Sequence, residues 1–172
     1  ITNFAAAAPH PFDDLSVDEV KQAVEIIRTS GKFDKDVRFP VVRREEPTKK
    51  DWLAGKSANE RKAYLAIFDF AKSMMTEVII DLKTKKILSM KNLPGIKPPI
   101  LLEEYDRARK IVRADVRWQN AMKARGVKNL DDVFVDIWGP GLMSAEEQKP
   151  GQRLLRALSY MKGKDAVNVY SR

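Results

Sequence analysis

The sequence predicts an α+β protein made of two consecutive small domains, each a helix packed on an antiparallel sheet. Two observations support this prediction. An amphipathic helix with clear start and stop signals precedes a series of β-prone runs, and a similar order of elements begins again after a proline-rich stretch. The 172 residues suffice for two small domains, and 44% hydrophobic with 33% charged residues is typical of a soluble globular protein.

The first domain, residues 10–93, is expected to begin with a helix. Ser16, followed three residues later by Glu19, has the pattern of a capping box, in which each side chain bonds to the backbone of the other residue. Gly31 supplies the left-handed residue that ends many helices. Apolar residues at helical spacing are expected to form the buried face: Val17, Val20, Val24 and Ile27.

Four antiparallel strands are expected to follow this helix. The run "DVRFPVV" is predicted to lie at a sheet edge, because Pro40 has no N–H to donate to a neighbouring strand. The run "RKAYLAIFDFA" is typical of a half-buried strand. The runs "TEVIIDL" and "KILSM" flank the polar segment "KTKK", which indicates a hairpin.

The stretch "NLPGIKPPI" marks the boundary between the two domains. Three prolines and a glycine in nine residues favour an extended linker, which we assign to residues 94–100. At the start of the chain, residues 1–9 are predicted to be a flexible stub, with the remnant of a processed targeting peptide as one interpretation.

The second domain, residues 101–172, is expected to contain two helices followed by strands. One helix begins after Pro99, and Asp115 caps the next, which ends at Gly126. The strand-like runs are "DVFVDIW", "QRLLRALSYM" and "AVNVYSR". No counterpart of "TEVIIDLKTKKILSM" follows them, so this domain is expected to be truncated, without its closing hairpin. The residues expected to be buried on its helices are Leu102, Tyr105, Ile111, Val112, Trp118, Ala121 and Met122.

The side-chain inventory excludes several kinds of enzyme. The sequence has one histidine, His10, and no cysteine, so neither a metal site built on imidazoles nor a Ser/His/Asp or Cys/His triad can be assembled in the usual way. No glycine-rich phosphate-binding loop is present. Adjacent carboxylates, such as Glu103 with Glu104, point in different directions and are expected to be surface charges or helix caps. No apolar run reaches the roughly 20 residues that span a bilayer.

Two features leave alternatives open. The net charge of +8 is compatible with a nucleic-acid partner or with a solubilising surface, and the acids mixed among the basic residues favour the surface. Trp118 is expected in a core. Trp52 and Trp138 stand beside glycine-containing loops and are interpreted equally well as packing residues or as site residues.

A series of segments occurs here in the order and spacing of a known family: "HPFDDLS", "DWLAGKSANERKAYLAIFDF", "TEVIIDLKTKKI", "LPGIKPPILLEEYDRA", "DVRWQNAMKARGV", "RLLRALSYMKG" and "NVYSR". On these segments, nearly all of the chain from His10 to Arg172 resembles the amino-terminal region of copper amine oxidases, the topaquinone-dependent primary-amine oxidases. The resemblance implies two cystatin-like domains ahead of a β-sandwich catalytic domain. It also implies a hairpin that completes the second small domain.

The resemblance implies no catalytic, cofactor-binding or metal-binding residue in these 172 residues. The family holds copper with three histidines, and this chain has only His10. The family's quinone forms from a tyrosine directly after an asparagine, whereas the tyrosines here follow other residues: Tyr64, Tyr105, Tyr160 and Tyr170. Copper and topaquinone are therefore expected in the parent enzyme and not in this part of it.

The parent reaction implied by the resemblance converts a primary amine, water and dioxygen to an aldehyde, ammonia and hydrogen peroxide. In the family, the loop after the first strand of the second small domain borders the substrate channel. The matching segment "WGPGLMSAEE" places Leu142 or Met143 at the channel wall, with Trp138 nearby. Packing against the catalytic domain is an equally good interpretation of Leu142 and Met143.

The implied partner is the chain's own catalytic β-sandwich domain, in a homodimeric parent, with neither nucleic acid nor membrane as partner. The alternative function is a free-standing cystatin-like module that binds a protein or an anionic ligand. The sequence assigns no cellular compartment.

Overall fold

The computed structural model describes residues 10–57, 60–147, 152–162 and 170. The chain divides into two compact units, Ile1–Pro98 and Pro99–Arg172. Both combine helices with an antiparallel sheet, as the sequence predicts. Among the described residues, no helix combines the length and the apolar character needed to cross a membrane.

The described residues of unit 1 form one long helix, one short helix and a four-stranded antiparallel sheet in the order β1-β2-β3-β4. Pro40 lies on an edge strand, as predicted, at the point where the register with β2 shifts between Arg38 and Val41. The elements are α1 (Val17–Thr29), β1 (Arg38–Glu45), α2 (Lys49–Leu53), β2 (Lys62–Asp69), β3 (Met74–Asp81) and β4 (Lys86–Leu93).

The predicted capping box of α1 is confirmed. The Ser16 N–H donates to Glu19 Oε2 at 2.8 Å, and the Glu19 N–H donates to Ser16 Oγ at 3.3 Å. Gly31, just after the helix, has the left-handed φ of +68° that the sequence predicts. These local bonds satisfy backbone donors that the first helical turn cannot satisfy itself.

The predicted buried face of α1 is correct only in part. Ile27 is fully buried with Ala23, and both belong to the same core cluster as Leu65 and Val78 of the sheet. The prediction that Val17 is buried is wrong, because its side chain is 71% exposed. It is the first residue of the helix, and only the turns further along this face reach the sheet.

The predicted β3–β4 hairpin is confirmed, and the structure also contains a short helix before β2 that the sequence analysis did not predict. At the hairpin tip, Asp81 Oδ1 accepts from the N–H groups of Lys83 and Thr84, and Lys85 has a φ of +57°. Thr48 caps this short helix, α2, by accepting from the Asp51 N–H at 3.1 Å.

Unit 2 has two helices and a two-stranded antiparallel sheet among its described residues. Asp115 caps the second helix, as predicted, by accepting from the Arg117 N–H at 2.8 Å. The predicted strand "AVNVYSR" lies outside the described residues except for Tyr170. The elements are α3 (Leu102–Ala114), α4 (Val116–Ala124), a 3-10 turn (Leu130–Asp132), β5 (Val133–Trp138) and β6 (Arg156–Met161).

The predicted buried face of α3 needs correction. Leu102 is 88% exposed and Ile111 is 62% exposed, while Tyr105 and Val112 are half-buried. The buried residue of α3 is Glu104. Two arginines of this helix instead extend their apolar stems along β5. Arg109 Nε donates to the Val135 carbonyl at 3.1 Å, and Arg113 Nη1 donates to the Val133 carbonyl at 3.0 Å.

Candidate functional site

The end of β5 and the loop that follows it carry the three residues predicted for the channel wall. Trp138 ends the strand with its side chain 54% exposed, and Leu142 is 94% exposed. Met143 is half-buried. All three residues therefore lie within one segment of six consecutive residues in unit 2, 138–143.

The backbone of this loop is fixed by an arginine from the neighbouring strand. Arg156 begins β6 and stands opposite Trp138 in the strand register. Its Nε donates to the Pro140 carbonyl, and its Nη2 donates to the Leu142 carbonyl at 2.9 Å. Gly141, between these two carbonyls, has a φ of +64°, a conformation that suits glycine.

A buried carboxylate holds the Trp138 ring. Asp136 Oδ2 accepts from Trp138 Nε1 at 2.5 Å and from the Tyr170 hydroxyl at 2.6 Å. The hydrogen bond to this carboxylate stabilises the neutral phenol and so raises the pKa of Tyr170. Sequence reasoning missed Asp136. The available signal was its alternation with Phe134 and Trp138, which places all three on one face of the strand.

Two aromatic residues bond to this carboxylate, and a third packs against one of them. The rings of Tyr160 and Tyr170 meet edge to face at 5.1 Å between centroids, and Tyr170 is half exposed. On the neighbouring strand, Leu158 lies opposite Asp136. A carboxylate beside partly exposed aromatic rings combines two groups that attract an alkylammonium ion.

An ion pair connects the end of the same loop to the start of α3. Arg153 Nε donates to Glu104 Oε1 at 2.5 Å, and its Nη2 donates to Glu104 Oε2 at 2.6 Å and to the Pro99 carbonyl at 2.8 Å. Burial alone would raise the pKa of Glu104. The bonds from Arg153 and from the Leu101 N–H outweigh it and lower that pKa. The loop between β5 and β6 is thus tied by Arg156 near its first residues and by Arg153 near its last.

The other residues considered from the sequence, Trp52, His10 and Trp118, make contacts within their own units. Trp52 packs edge-on against Phe12 at 4.9 Å and His10 at 5.1 Å. His10 Nδ1 accepts from the Phe12 N–H at 3.2 Å. Trp118, predicted in a core, is half-buried, and its Nε1 donates to Ser159 Oγ at 3.0 Å. Within the described part of the chain, no three His, Cys, Asp or Glu side chains are grouped so that they could hold a metal ion.

Together, the fold and this loop define a tandem pair of small α+β domains, and comparison with known proteins identifies the pair. Residues 17–90 match the family model described as the AGAO-like N2 domain, and residues 103–172 match the copper amine oxidase N3 domain. The chain belongs to the copper amine oxidase family, as the resemblance of its motifs predicts.

Individual relatives agree with this assignment. The chain is 33% identical over 163 residues to a primary amine oxidase of Arthrobacter sp. (strain P1), covering 94% of this chain and 25% of the relative. It is 28% identical over 158 residues to a histamine oxidase of Arthrobacter globiformis, covering 90% and 23%. The chain therefore spans about a quarter of the length of these curated relatives.

A solved structure has the same fold. The copper-containing benzylamine oxidase from Hansenula polymorpha matches with a TM-score of 0.71 at 18% identity, over 93% of this chain and 26% of that chain.

Proposed function

We propose that this chain is a non-catalytic scaffold at the amino-terminal end of a copper-dependent primary-amine oxidase. The parent would convert a primary amine, water and dioxygen to an aldehyde, ammonia and hydrogen peroxide. The two units would adopt the cystatin-like form and support a β-sandwich catalytic domain in a homodimeric enzyme. Membership in the family supports this proposal, together with relatives about four times as long as this chain.

The chain's own donors do not fit copper. Copper sites of this kind use several imidazoles, and the sequence supplies only His10, whose Nδ1 already accepts from a backbone N–H. No tyrosine follows an asparagine, so no residue matches the precursor of the quinone. We therefore assign copper and topaquinone to the catalytic domain and derive no catalytic step for this chain.

We further propose that Trp138, Leu142 and Met143 form part of the wall of the substrate channel. The observation that carries this proposal is the near-complete exposure of Leu142, an apolar side chain on a backbone fixed by two hydrogen bonds. Apolar groups presented this way are typical of contact or binding surfaces. The nearby Asp136 carboxylate and its aromatic neighbours suit an amine cation passing the wall.

The hairpin expected to close the unit 2 sheet has room to pair at only one of the sheet's two edges. On the β5 side, Arg109 and Arg113 already occupy the outward carbonyls. On the β6 side, Leu158 and Met161 are exposed, and the described residues contribute no further strand. We propose that the sheet continues at β6, where a further strand would cover this apolar surface.

The wall is tested by substitution in the complete oxidase polypeptide. We expect Leu142→Ala and Met143→Ala to change kcat/KM for benzylamine severalfold, about the effect of removing a few methylene groups from an apolar pocket. The rate of cofactor reoxidation by dioxygen should stay the same. Leu53→Ala removes an equally large exposed leucine from unit 1 and is the matched control. Unchanged benzylamine kinetics in both wall variants would contradict the proposal. They would favour the alternative, in which Leu142 and Met143 pack against the catalytic domain.

One observation favours the alternative of a binding module. Unit 1 has an open groove of about 730 Å³ between α1 and the β3–β4 hairpin, with Ile26 and Ile87 in its lining. Lys32, Lys85 and Lys86 also line it, which suits an acidic partner. Saturable binding of an acidic peptide to the isolated chain, abolished by Lys85→Glu with Lys86→Glu, would favour this alternative.

A further inference from the structure

We propose that Arg156 is a positioning residue that fixes the loop of residues 139–143 and thereby sets which amines pass the wall. The inference rests on the proposed function, because it concerns the loop that carries Leu142 and Met143. Arg156 itself would contact neither substrate nor cofactor. It would act through the backbone that presents these two side chains.

The geometry follows from the strand register. Because Arg156 is paired with Trp138, its side chain starts at the base of the loop. Nε and Nη2 belong to one planar guanidinium and donate to the carbonyls of Pro140 and Leu142. Two bonds from a rigid group to carbonyls two residues apart fix the turn at Gly141 between them. The position of the exposed Leu142 side chain is therefore set by Arg156.

The shape of this group matters separately from its charge. A positive charge near the loop would by itself disfavour an approaching amine cation, so its placement here is best explained by the bonds it donates. Lysine retains the charge but lacks the planar fork, whereas glutamine removes the charge. Comparing Arg156→Lys with Arg156→Gln thus separates geometry from electrostatics. Arg125→Gln, which removes an arginine bonded to the Ala121 carbonyl at the end of α4, is the matched control.

The first experiment measures backbone amide order parameters by NMR relaxation in the 172-residue chain. We expect the order parameters of Gly139, Gly141, Leu142 and Met143 to fall from about 0.8 to below about 0.6 in both Arg156 variants, because each variant loses the charge-assisted hydrogen bonds that hold the Pro140 and Leu142 carbonyls. Order parameters within β5 should stay high, which shows that the sheet is intact. Arg125→Gln should leave the loop unchanged.

The second experiment compares methylamine with benzylamine as substrates of the complete oxidase polypeptide. We expect both Arg156 variants to change the ratio of the two kcat/KM values at least about threefold. The kcat for methylamine should remain within twofold of the unchanged enzyme, since the reacting groups lie elsewhere.

Each other outcome overturns a distinct part of the account. Unchanged loop order parameters overturn the positioning role, and the proposed function stands if Leu142→Ala still alters the ratio. A wild-type ratio in Arg156→Lys with an altered ratio in Arg156→Gln shows a charge effect and also overturns the positioning role. Lower loop order parameters with an unchanged ratio of the two kcat/KM values in both variants overturn the selection of amines and count against the wall itself.

Discussion

Arg61 and Glu19, 42 residues apart in the chain, form a buried bidentate ion pair with donor–acceptor distances of 2.6 and 2.8 Å. Arg61 also donates to the carbonyls of His10, Asp13 and Asp14, so it binds the segment that leads into α1. Unit 2 repeats the arrangement with Arg153 and Glu104. In both units the glutamate is the third residue of the helix, and the arginine stands just before the second strand of the sheet.

This repeat is independent support for the shared order of elements that the sequence predicts. The two pairs have different sequence surroundings, yet each joins a helix start to the approach of the second strand and binds a carbonyl ahead of the helix. A buried guanidinium needs several acceptors to offset its desolvation, and the helix-entry backbone supplies them. We infer that the same ion pair anchors the helix in both units.

The first prediction concerns acid stability. The hydrogen bonds from Arg61 lower the pKa of Glu19 from 4.5 to about 2. Because the folded pKa lies below the unfolded one, the stabilisation is fully present above pH 4.5 and is lost as the pH falls toward 2. Glu19→Gln should therefore destabilise unit 1 by about 3 kcal/mol at pH 7 and by much less at pH 2.5.

Hydrogen exchange of β2 peptides across this pH range measures the effect in unit 1 alone. Asp18→Asn is the matched control. Asp18 lies in the same helical turn, but its side chain is exposed and its ion pair with Lys21 is long, at 3.8 Å, so its loss should have little effect on stability. A Glu19→Gln variant with the same pH dependence as the unchanged chain would refute the role given to this pair.

The second prediction concerns the carboxylate beneath Trp138. Asp136→Asn removes the charge that disfavours ionisation of Tyr170, so the pKa of Tyr170 should fall toward the ordinary value of about 10. Tyrosinate absorbance, measured as the difference between each protein and its Tyr170→Phe variant, follows this one group. Tyr64 of unit 1, whose pKa burial and the hydrogen bond to Glu77 raise to about 12, is the control: its titration, measured in the same way against Tyr64→Phe, should be the same with and without Asp136→Asn. An unmoved Tyr170 titration would show that the bond to Asp136 is not maintained in solution.

The third prediction follows from the corrected face of α1. Ile27→Ala should cost about 2–5 kcal/mol, because Ile27 is fully buried and the vacated volume cannot be refilled. Val17→Asp should be neutral or slightly stabilising, since Val17 is exposed and a carboxylate at a helix start interacts favourably with the helix dipole. Urea unfolding, followed by hydrogen exchange of unit 1 peptides, gives the free energy of unfolding of the two variants. Equal destabilisation by both would contradict the corrected face and support the face that the spacing alone predicts.

Local signals in the sequence were sufficient for the elements whose bonds are local. The capping box at Ser16, the cap at Asp115 and the β3–β4 hairpin all depend on residues within a few positions of one another. Pro40 identified its edge strand for the same reason, since a missing N–H is a property of one residue.

The candidate site could be predicted only in part. The family motifs pointed to Trp138, Leu142 and Met143. The residues that bond to this segment, Arg156 and Asp136, were not predicted. Arg156 reaches back 14 residues to Leu142, and no helical or strand periodicity predicts such a bond. Spacing was also misleading for Leu102 and Ile111 on α3, because periodicity shows that a face is apolar and not that another element covers it.

The central claim is that this chain serves a copper amine oxidase without holding the reactive centre. The most direct test measures copper content and benzylamine-dependent hydrogen peroxide formation for the 172-residue chain and for the complete polypeptide, each prepared with added copper. We expect about one copper per subunit and amine turnover in the complete polypeptide, and neither in the 172 residues alone. Stoichiometric copper with turnover in the 172-residue chain would contradict the account.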